Sequence, residues 1–153
     1  RLVGVSVSLT VVPAGVLHDP VFRRAFAQLR RFDLSFDAWV LEPQLADVVD
    51  LARAFPDTPI IVDHTGSPVG LASYRGRLPE RYADWAASMR RLAACPNVTI
   101  KLGGLGNPLS GLSDAAGLDS AALAAQAERL TAFFDGDVVA PIYTSAEMRR
   151  SRI

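Results

Sequence analysis

The sequence predicts an α/β fold in which parallel strands are joined by crossover helices. Short apolar runs alternate with longer segments of helical periodicity along the 153 residues, which is typical of a parallel sheet. The predicted strands are apolar almost throughout, as expected when both sheet faces are covered. Two architectures fit this pattern: a doubly wound open sheet, or an arc supplying about five of the eight units of a (β/α)8 barrel.

The first three strands and two helices fall in the first half of the chain. Strands are predicted at 2–9, 34–40 and 59–63. The first helix begins at Asp19 and Pro20, because aspartate is a good N-cap and proline fits the first helical position. The second helix begins at Pro43 and carries an apolar stripe at helical spacing as far as Phe55.

The second half continues the alternation and then changes character. A third helix is predicted at about 80–94, a fourth strand at 98–102, an Ala-rich helix at about 120–134 and a fifth strand at 138–142. The loop GGLGNPLSG lacks the GxGxxG spacing and is not followed by GKS or GKT, which argues against a Rossmann or P-loop fold. Residues 1–143 thus carry the strand–helix pattern, which under the second architecture makes them a partial barrel, and residues 144–153 are predicted to form a short C-terminal helix or tail.

Composition narrows the class of protein. Sixteen basic and sixteen acidic residues give zero net charge, which argues against a nucleic-acid partner. The single cysteine, Cys95, excludes a disulfide framework. No apolar run approaches the roughly 18 residues of a membrane helix, and no signal peptide is visible, so a cytoplasmic location is predicted. The chain opens at Arg1 inside an apolar stretch, which indicates a piece of something longer.

His64 is the sharpest candidate for chemistry, because function in parallel α/β folds sits at the carboxyl ends of strands. Alternation along the strand places Ile60, Val62 and His64 on one face. If that face points into a barrel, His64 reaches the catalytic rim, where an imidazole can bind a metal or polarise a carbonyl. The alternative is a core histidine bonded to backbone. Asp63 is predicted to face the helix layer, in a structural salt bridge or turn cap.

Three further candidates follow neighbouring strands. Lys101 interrupts an apolar strand and needs a partner or a wet cavity, so it either orients a substrate carboxylate, pairs with an acid, or snorkels to the strand end. Gln44 either donates to a substrate carbonyl or bonds backbone in the first turn of a helix. Gly103 either lets the backbone approach a ligand or forms an ordinary turn.

At this point the residues resemble a known family. The segment FDAWVLEPQLADVVDLARAFPDTPIIVDHTGSPVG, a Trp-containing helix and then CPNVTIKLGGLG are similar to the amidohydrolase-related (amidohydrolase 2) family. The match is with the branch of 2-pyrone-4,6-dicarboxylate lactonase and fuconolactonase-like hydrolases, over about residues 19–108. The resemblance implies a (β/α)8 barrel that hydrolyses lactones or related esters and amides, with IIVDH and TIKLGG as its fifth and sixth strands. It makes His64 an active-site residue.

The departures from the family pattern bear on metal binding. The family's first strand carries a His-x-His pair and its last strand an Asp that acts as metal ligand or general base, and neither is in this chain. Glu42 stands where relatives often have histidine. A lone His64 cannot hold a catalytic zinc, which usually needs three protein ligands. The resemblance therefore leaves two expectations open: a divalent metal such as zinc with His64 as one ligand, or metal-independent polarisation by His64.

The sequence thus favours a hydrolase of a small-molecule lactone or carboxylic ester. In this interpretation His64 polarises the carbonyl or binds a metal, while Lys101, Gln44 and Gly103 contact the substrate. The alternative is a non-catalytic α/β fragment or interaction module that needs a partner to complete its sheet. Because a partial barrel exposes sheet edges, we expect the isolated chain to form homo-oligomers or aggregates and to lack lactonase activity.

Overall fold

The chain forms a five-stranded parallel sheet with helices packed on one side. The structure, a computed structural model, describes residues 3–13, 15–67, 77–101 and 103, and the single positions 121, 124, 125, 128, 142 and 143. The strands are β1 (Gly4–Ser8), β2 (Ser35–Trp39), β3 (Ile60–Val62), β4 (Val98–Lys101) and β5 (Ile142–Tyr143). The α-helices with described bounds are α1 (Pro20–Phe26), α2 (Leu45–Ala54) and α3 (Leu78–Ala93).

The strand order decides between the two predicted architectures. The strands lie in the sequential order β1-β2-β3-β4-β5, and each neighbouring pair is parallel. A doubly wound sheet instead reverses its strand order at a switch point. Because right-handed crossovers in a sequential order place their helices on the same face, this sheet is the arc of a barrel. The prediction of parallel strands joined by crossover helices is confirmed for β1 to β4.

One face of the sheet packs against the helices and forms the core. The register aligns Phe36 with Ile60 and Val98 in one row, and Ala38 with Val62 and Ile100 in the next. All six side chains are buried together with the apolar stripes of α2 and α3. The rings of Phe26 in α1 and Phe36 lie 5.1 Å apart between centroids, which places this row on the helix side.

The opposite face of the sheet, here called the inner face, carries the aligned side chains Ser6, Asp37, Ile61 and Thr99. These are half-buried or exposed. The expectation of strands apolar almost throughout is therefore wrong for this part of the chain, since polar residues alternate with the buried ones. The assumed direction of Ile60 and Val62 is wrong as well, because both face the helices rather than the barrel interior.

The helix starts follow the capping chemistry read from the sequence, with one difference. The Asp19 carboxylate accepts hydrogen bonds from the backbone amides of Val21 and Phe22, and Pro20 occupies the first turn of α1, as predicted. At Pro43 the chain makes a short 3-10 turn, Glu42–Gln44, before α2 begins.

One side chain hydrogen-bonds both the carboxyl end of α2 and the residues just before β3. Asn97 Nδ2 lies 3.0 Å from the carbonyl oxygens of Phe55 and Thr58 and 3.2 Å from that of Ala52. The predicted tail 144–153, and the predicted helix 120–134 apart from four positions, lie outside the described residues. In the described part of the chain, no helix is both long and apolar enough to cross a membrane.

Candidate active site

The carboxyl ends of β3 and β4 are joined by an ion pair on the inner face. Lys101 continues the row of Thr99 at the end of β4, and its Nζ donates to Asp63 Oδ1 at 2.8 Å. The Asp63 side chain is only 7% exposed, whereas that of Lys101 is 31% exposed. The carboxylate is therefore the buried anchor of the pair, and the ammonium group retains access to the inner face.

This pair corrects the prediction for Asp63. The sequence placed Asp63 toward the helix layer, which is wrong because Ile61, two residues earlier, lies on the inner face and strand parity carries Asp63 to the same side. The acid partner that an interior lysine requires was one of the alternatives for Lys101, and Asp63 supplies it.

His64 lies on an unusual turn that begins where β3 ends. The residues His64, Thr65, Gly66 and Ser67 all have positive φ, of 53°, 55°, 68° and 38°. The Ser67 amide donates to the His64 carbonyl at 2.9 Å, which closes one left-handed turn. Left-handed backbone costs roughly 1–2 kcal/mol for each L-residue, so three of the four positions are strained. Such strain persists only where the surroundings over-determine it, and it is typical of functional sites.

Several contacts hold the left-handed turn in place. Trp85 of α3 is fully buried, and its Nε1 donates to the Thr65 carbonyl at 2.7 Å. The Glu42 amide donates to the Ser67 carbonyl at 3.1 Å. The turn is thus fastened to the helix layer by α3 and to the end of β2 by the 3-10 turn. These contacts compensate the backbone strain and fix the point from which His64 projects.

Gly66 is required in this turn for two reasons. Its φ is +68°, and an added Cβ would lie 2.9 Å from Cδ2 of Leu45, a fully buried side chain. We expect Gly66→Ala to lower the free energy of unfolding by about 2–4 kcal/mol, because about 1 kcal/mol of left-handed strain and about 1–3 kcal/mol of overpacking add. Chemical denaturation measures this change.

Gly15 provides the matched control for Gly66. Its φ is +82°, yet nothing lies within 4 Å of the position of an added Cβ. Gly15→Ala should therefore cost only the backbone term, about 1 kcal/mol. Equal losses for the two variants would contradict the packing argument at Leu45.

The ring of His64 contacts an aromatic side chain at the end of β2. The centroids of the Trp39 and His64 rings are 5.2 Å apart, with an angle of 76° between the ring planes. Trp39 shares the inner-face parity of Asp37. Within the residues that the structure describes, neither ring nitrogen of His64 is hydrogen-bonded to protein. His64 therefore reaches the inner edge through the left-handed turn and not through the strand alternation used to predict it.

The other two predicted site residues differ in how they are engaged. Gln44 Oε1 accepts from the Leu41 amide at 2.9 Å, and its Nε2 donates to the Leu9 carbonyl at 2.8 Å. This is the backbone-bonding alternative, and it joins the chain after β1 to the chain after β2. Gly103 has a φ of +153°, and no described residue lies within 4 Å of the position of an added Cβ. The substrate role of Gly103 stays a prediction.

A buried ion pair joins the 3-10 turn Glu42–Gln44 to α3. Glu42 is 4% exposed and pairs with Arg81 of α3, whose Nε lies 2.9 Å from Glu42 Oε2. Arg81 also reaches the exposed Asp84 at 3.0 Å. Glu42 was noted in the sequence as a departure from the family pattern. In this structure it holds the 3-10 turn against α3.

The residues of this site do not form a metal centre on their own. In residues 3–13, 15–67 and 77–101, no group of three or more His, Cys, Asp or Glu side chains could hold a metal ion. Asp63 is engaged by Lys101, which leaves His64 as a single candidate ligand. A catalytic zinc usually takes three protein ligands, so this donor set does not fit one.

Sequence reasoning missed three contributors to the site. Asp63 was assigned to the wrong face, Trp85 entered only as the tryptophan of the Trp-containing helix in the family resemblance, and Trp39 was not singled out. The need of Lys101 for a partner was the available signal for Asp63. The contacts of the two tryptophans depend on the left-handed turn, which no residue pattern in DHTGS predicts apart from its glycine.

Fold and site together define a class of protein: a (β/α)8-barrel arc with polar groups at its strand ends. Comparison with known proteins identifies the family within that class. The Amidohydrolase family profile matches residues 1–131, so the chain belongs to this family. It is 37% identical over 89 residues to an L-fucono-1,5-lactonase of Burkholderia ambifaria, and 37% identical over 91 residues to the uncharacterized protein y4mH of Sinorhizobium fredii.

A solved structure supports the same assignment. A zinc-bound amidohydrolase from Burkholderia multivorans superposes with a TM-score of 0.75 and 29% identity, over 94% of this chain and 48% of that one. The matches to the lactonase and to y4mH cover 58% and 60% of this chain. The chain spans 28% of the length of each of these two relatives. The predicted family and barrel-arc fold are confirmed.

Proposed function

We propose that this chain forms the carbonyl-binding wall of a lactone hydrolase. The observation that carries the proposal is the inner edge of the sheet, where His64 projects from a strained turn beside the Lys101–Asp63 pair. The L-fucono-1,5-lactonase relatives support a lactone as the substrate class. His64 donates to the carbonyl oxygen, which develops negative charge as water adds to the carbonyl carbon.

Lys101 is proposed to hold an anionic or oxygen-rich part of the substrate. An ammonium group has three N–H donors, and Asp63 accepts one of them. The remaining donors face the less buried end of the pair. Asp63 fixes the direction of the lysine side chain, so the cation is oriented before the substrate arrives. Such preorganisation spares the reorganisation that a mobile lysine would undergo on binding.

The proposed role of this chain is binding and polarisation. The structure gives Asp63 to Lys101 and Glu42 to Arg81, so we assign the general base to neither carboxylate. A divalent metal such as zinc is a candidate cofactor of the barrel family, because a structural neighbour binds zinc. Since the described residues offer His64 alone, we route no step through a metal, and polarisation by the imidazole is the mechanism that we propose.

Binding of a hydrolysis-resistant lactam analogue of L-fucono-1,5-lactone tests this proposal directly. The removal of one hydrogen bond costs about 0.5–1.5 kcal/mol and of one to a charged group about 1.5–3 kcal/mol. We therefore expect His64→Ala to weaken lactam binding about 2- to 12-fold, and Lys101→Met about 12- to 160-fold. Isothermal titration calorimetry on the 153-residue chain measures both.

His18→Ala serves as the matched control for the histidine variant. His18 lies in the turn before α1, and its Nε2 contacts Asp47 of α2 at 3.0 Å, on the helix side of the sheet. Its loss should leave lactam affinity within about a factor of two of the native value, as expected for a surface substitution away from the site. Unchanged lactam binding in both His64→Ala and Lys101→Met would reject the proposed site.

A further inference from the structure

Trp39, at the end of β2, carries a buried hydrogen-bond donor that is not satisfied among the described residues. Its Nε1 is buried and has no hydrogen-bond partner in the described part of the chain. A buried N–H without an acceptor costs free energy, and most such groups in native proteins are paired. Phenylalanine or leucine would provide an apolar side chain here without an orphaned donor. An indole at this position therefore carries an orphaned donor that stability alone does not favour, and local rules broken in this way cluster at functional sites.

What the indole ring does is contact His64. The two rings meet nearly edge to face, with centroids 5.2 Å apart and an interplanar angle of 76°. Edge-to-face aromatic pairs are favourable beyond the area that they bury. Trp39 belongs to β2, a rigid strand paired on both sides with β1 and β3. The strand thus holds the indole in a fixed position beside His64.

His64 needs this aromatic contact because the usual orienting hydrogen bond to a ring nitrogen is missing among the described residues. Functional histidines are ordinarily held by a hydrogen bond from the ring nitrogen that does not react. Here the backbone of the residue is left-handed, and its ring nitrogens make no protein hydrogen bond among the described residues. The indole is the aromatic contact of the imidazole among the described residues.

We infer that Trp39 is the positioning residue of His64. The indole selects one rotamer of the imidazole at the inner edge by ring contact, and it leaves both ring nitrogens available to a ligand. The functional meaning of this role rests on the function proposed for His64. The positioning itself is a property of the ligand-free chain and is measured without a substrate.

Three-bond couplings to Cγ, measured by NMR on the chain labelled at histidine with 13C and 15N, report the χ1 rotamers. They are insensitive to the ring current that any loss of Trp39 would change. The chain has two histidines, and His18, held by Asp47, is an internal reference. We expect Trp39→Leu to lower the ratio of major to minor His64 rotamers about 2- to 12-fold, the range given by aromatic pair energies. Trp39→Phe should restore most of that ratio.

The outcomes separate this inference from the proposed function. A folded Trp39→Leu chain that keeps the native His64 couplings overturns the inference. If Trp39→Leu does not fold, Trp39→Phe carries the test, because it retains a ring and breaks no hydrogen bond. A different His64 rotamer in that variant overturns the inference equally. Failure of the native chain to bind the lactam rejects the proposed function and leaves the rotamer result standing.

Discussion

Replacing Arg81 by methionine is expected to lower the free energy of unfolding by about 3–5 kcal/mol, the range for breaking a buried ion pair from one side. The reason is Glu42, which is 4% exposed and pairs with Arg81 across the 3-10 turn and α3. Removal of the guanidinium leaves that carboxylate buried without its partner, and charged groups are not tolerated in that state. Urea denaturation of the native and variant chains measures the loss.

Two further variants show whether the pairing is responsible. Asp84→Asn removes a second acid that contacts Arg81, but Asp84 is 61% exposed, and a surface pair of this kind contributes about 0–1 kcal/mol. Adding Glu42→Gln to Arg81→Met removes the stranded charge and should recover part of the stability. If the double variant is less stable than Arg81→Met by as much as Glu42→Gln alone destabilises the native chain, this account is contradicted.

The same variants also test how the site is supported. The Glu42 amide donates to the Ser67 carbonyl, so the 3-10 turn that Arg81 holds is one of the fastenings of the left-handed turn. Loosening it should release strain stored at His64, since strained backbone persists only where its surroundings impose it. We therefore expect the effect to appear at His64 as well as in global stability.

The sheet could be predicted from the sequence because its signals are local and repeated. Each strand–helix unit carries its own apolar run and capping residues, and Asp19 with Pro20 set the start of α1 as expected. Short right-handed connections then leave few topologies. Periodicity could not choose between an open sheet and a barrel arc, because both use the same strands. The sequential order of the strands in space makes that choice.

Alternation along β3 alone could not predict which of its faces meets the helices, and Asp63 was assigned to the wrong face for that reason. Ile60, Ile61 and Val62 are all apolar, so alternation along β3 gives two faces without saying which one meets the helices. The alternation of polar and apolar residues in the neighbouring strand β2 identifies the face that meets the helices. Asp37 alternates with Phe36 and Ala38, and the register aligns Asp37 with Ile61. Polar residues on an adjacent parallel strand thus mark the inner face, and with it the side of Asp63.

The left-handed turn was beyond sequence reasoning for a different reason. Thr65 is β-branched, and a β-branched residue at positive φ is an outlier that local preference argues against. The conformation exists because distant residues impose it, Trp85 from α3 and Glu42 from the end of β2. A prediction from local pattern cannot include contacts made 20 residues away. His64 was identified by its strand-end position, and its actual direction depends on those contacts.

Trp85→Phe is the second change expected to have a large effect, because one hydrogen bond from the core anchors the strained turn. Trp85 is fully buried, and its Nε1 donates to the Thr65 carbonyl at 2.7 Å. Phenylalanine leaves that carbonyl without its donor, at about 1–3 kcal/mol, and the smaller ring leaves a cavity. We expect a total loss of about 2–4 kcal/mol in the free energy of unfolding.

Trp39→Phe makes the same reduction in ring size without breaking a hydrogen bond, because Trp39 Nε1 has no partner among the described residues. The difference between the two tryptophan variants therefore contains the loss of the bond to Thr65, together with the difference in burial between the two rings. Hydrogen exchange at the Ser67 amide, which donates to His64 across the turn, gives the local measurement. We expect that amide to exchange faster in Trp85→Phe than in Trp39→Phe, relative to their global stabilities. Equal exchange and equal stability would show that the turn holds its left-handed form without the hydrogen bond from α3.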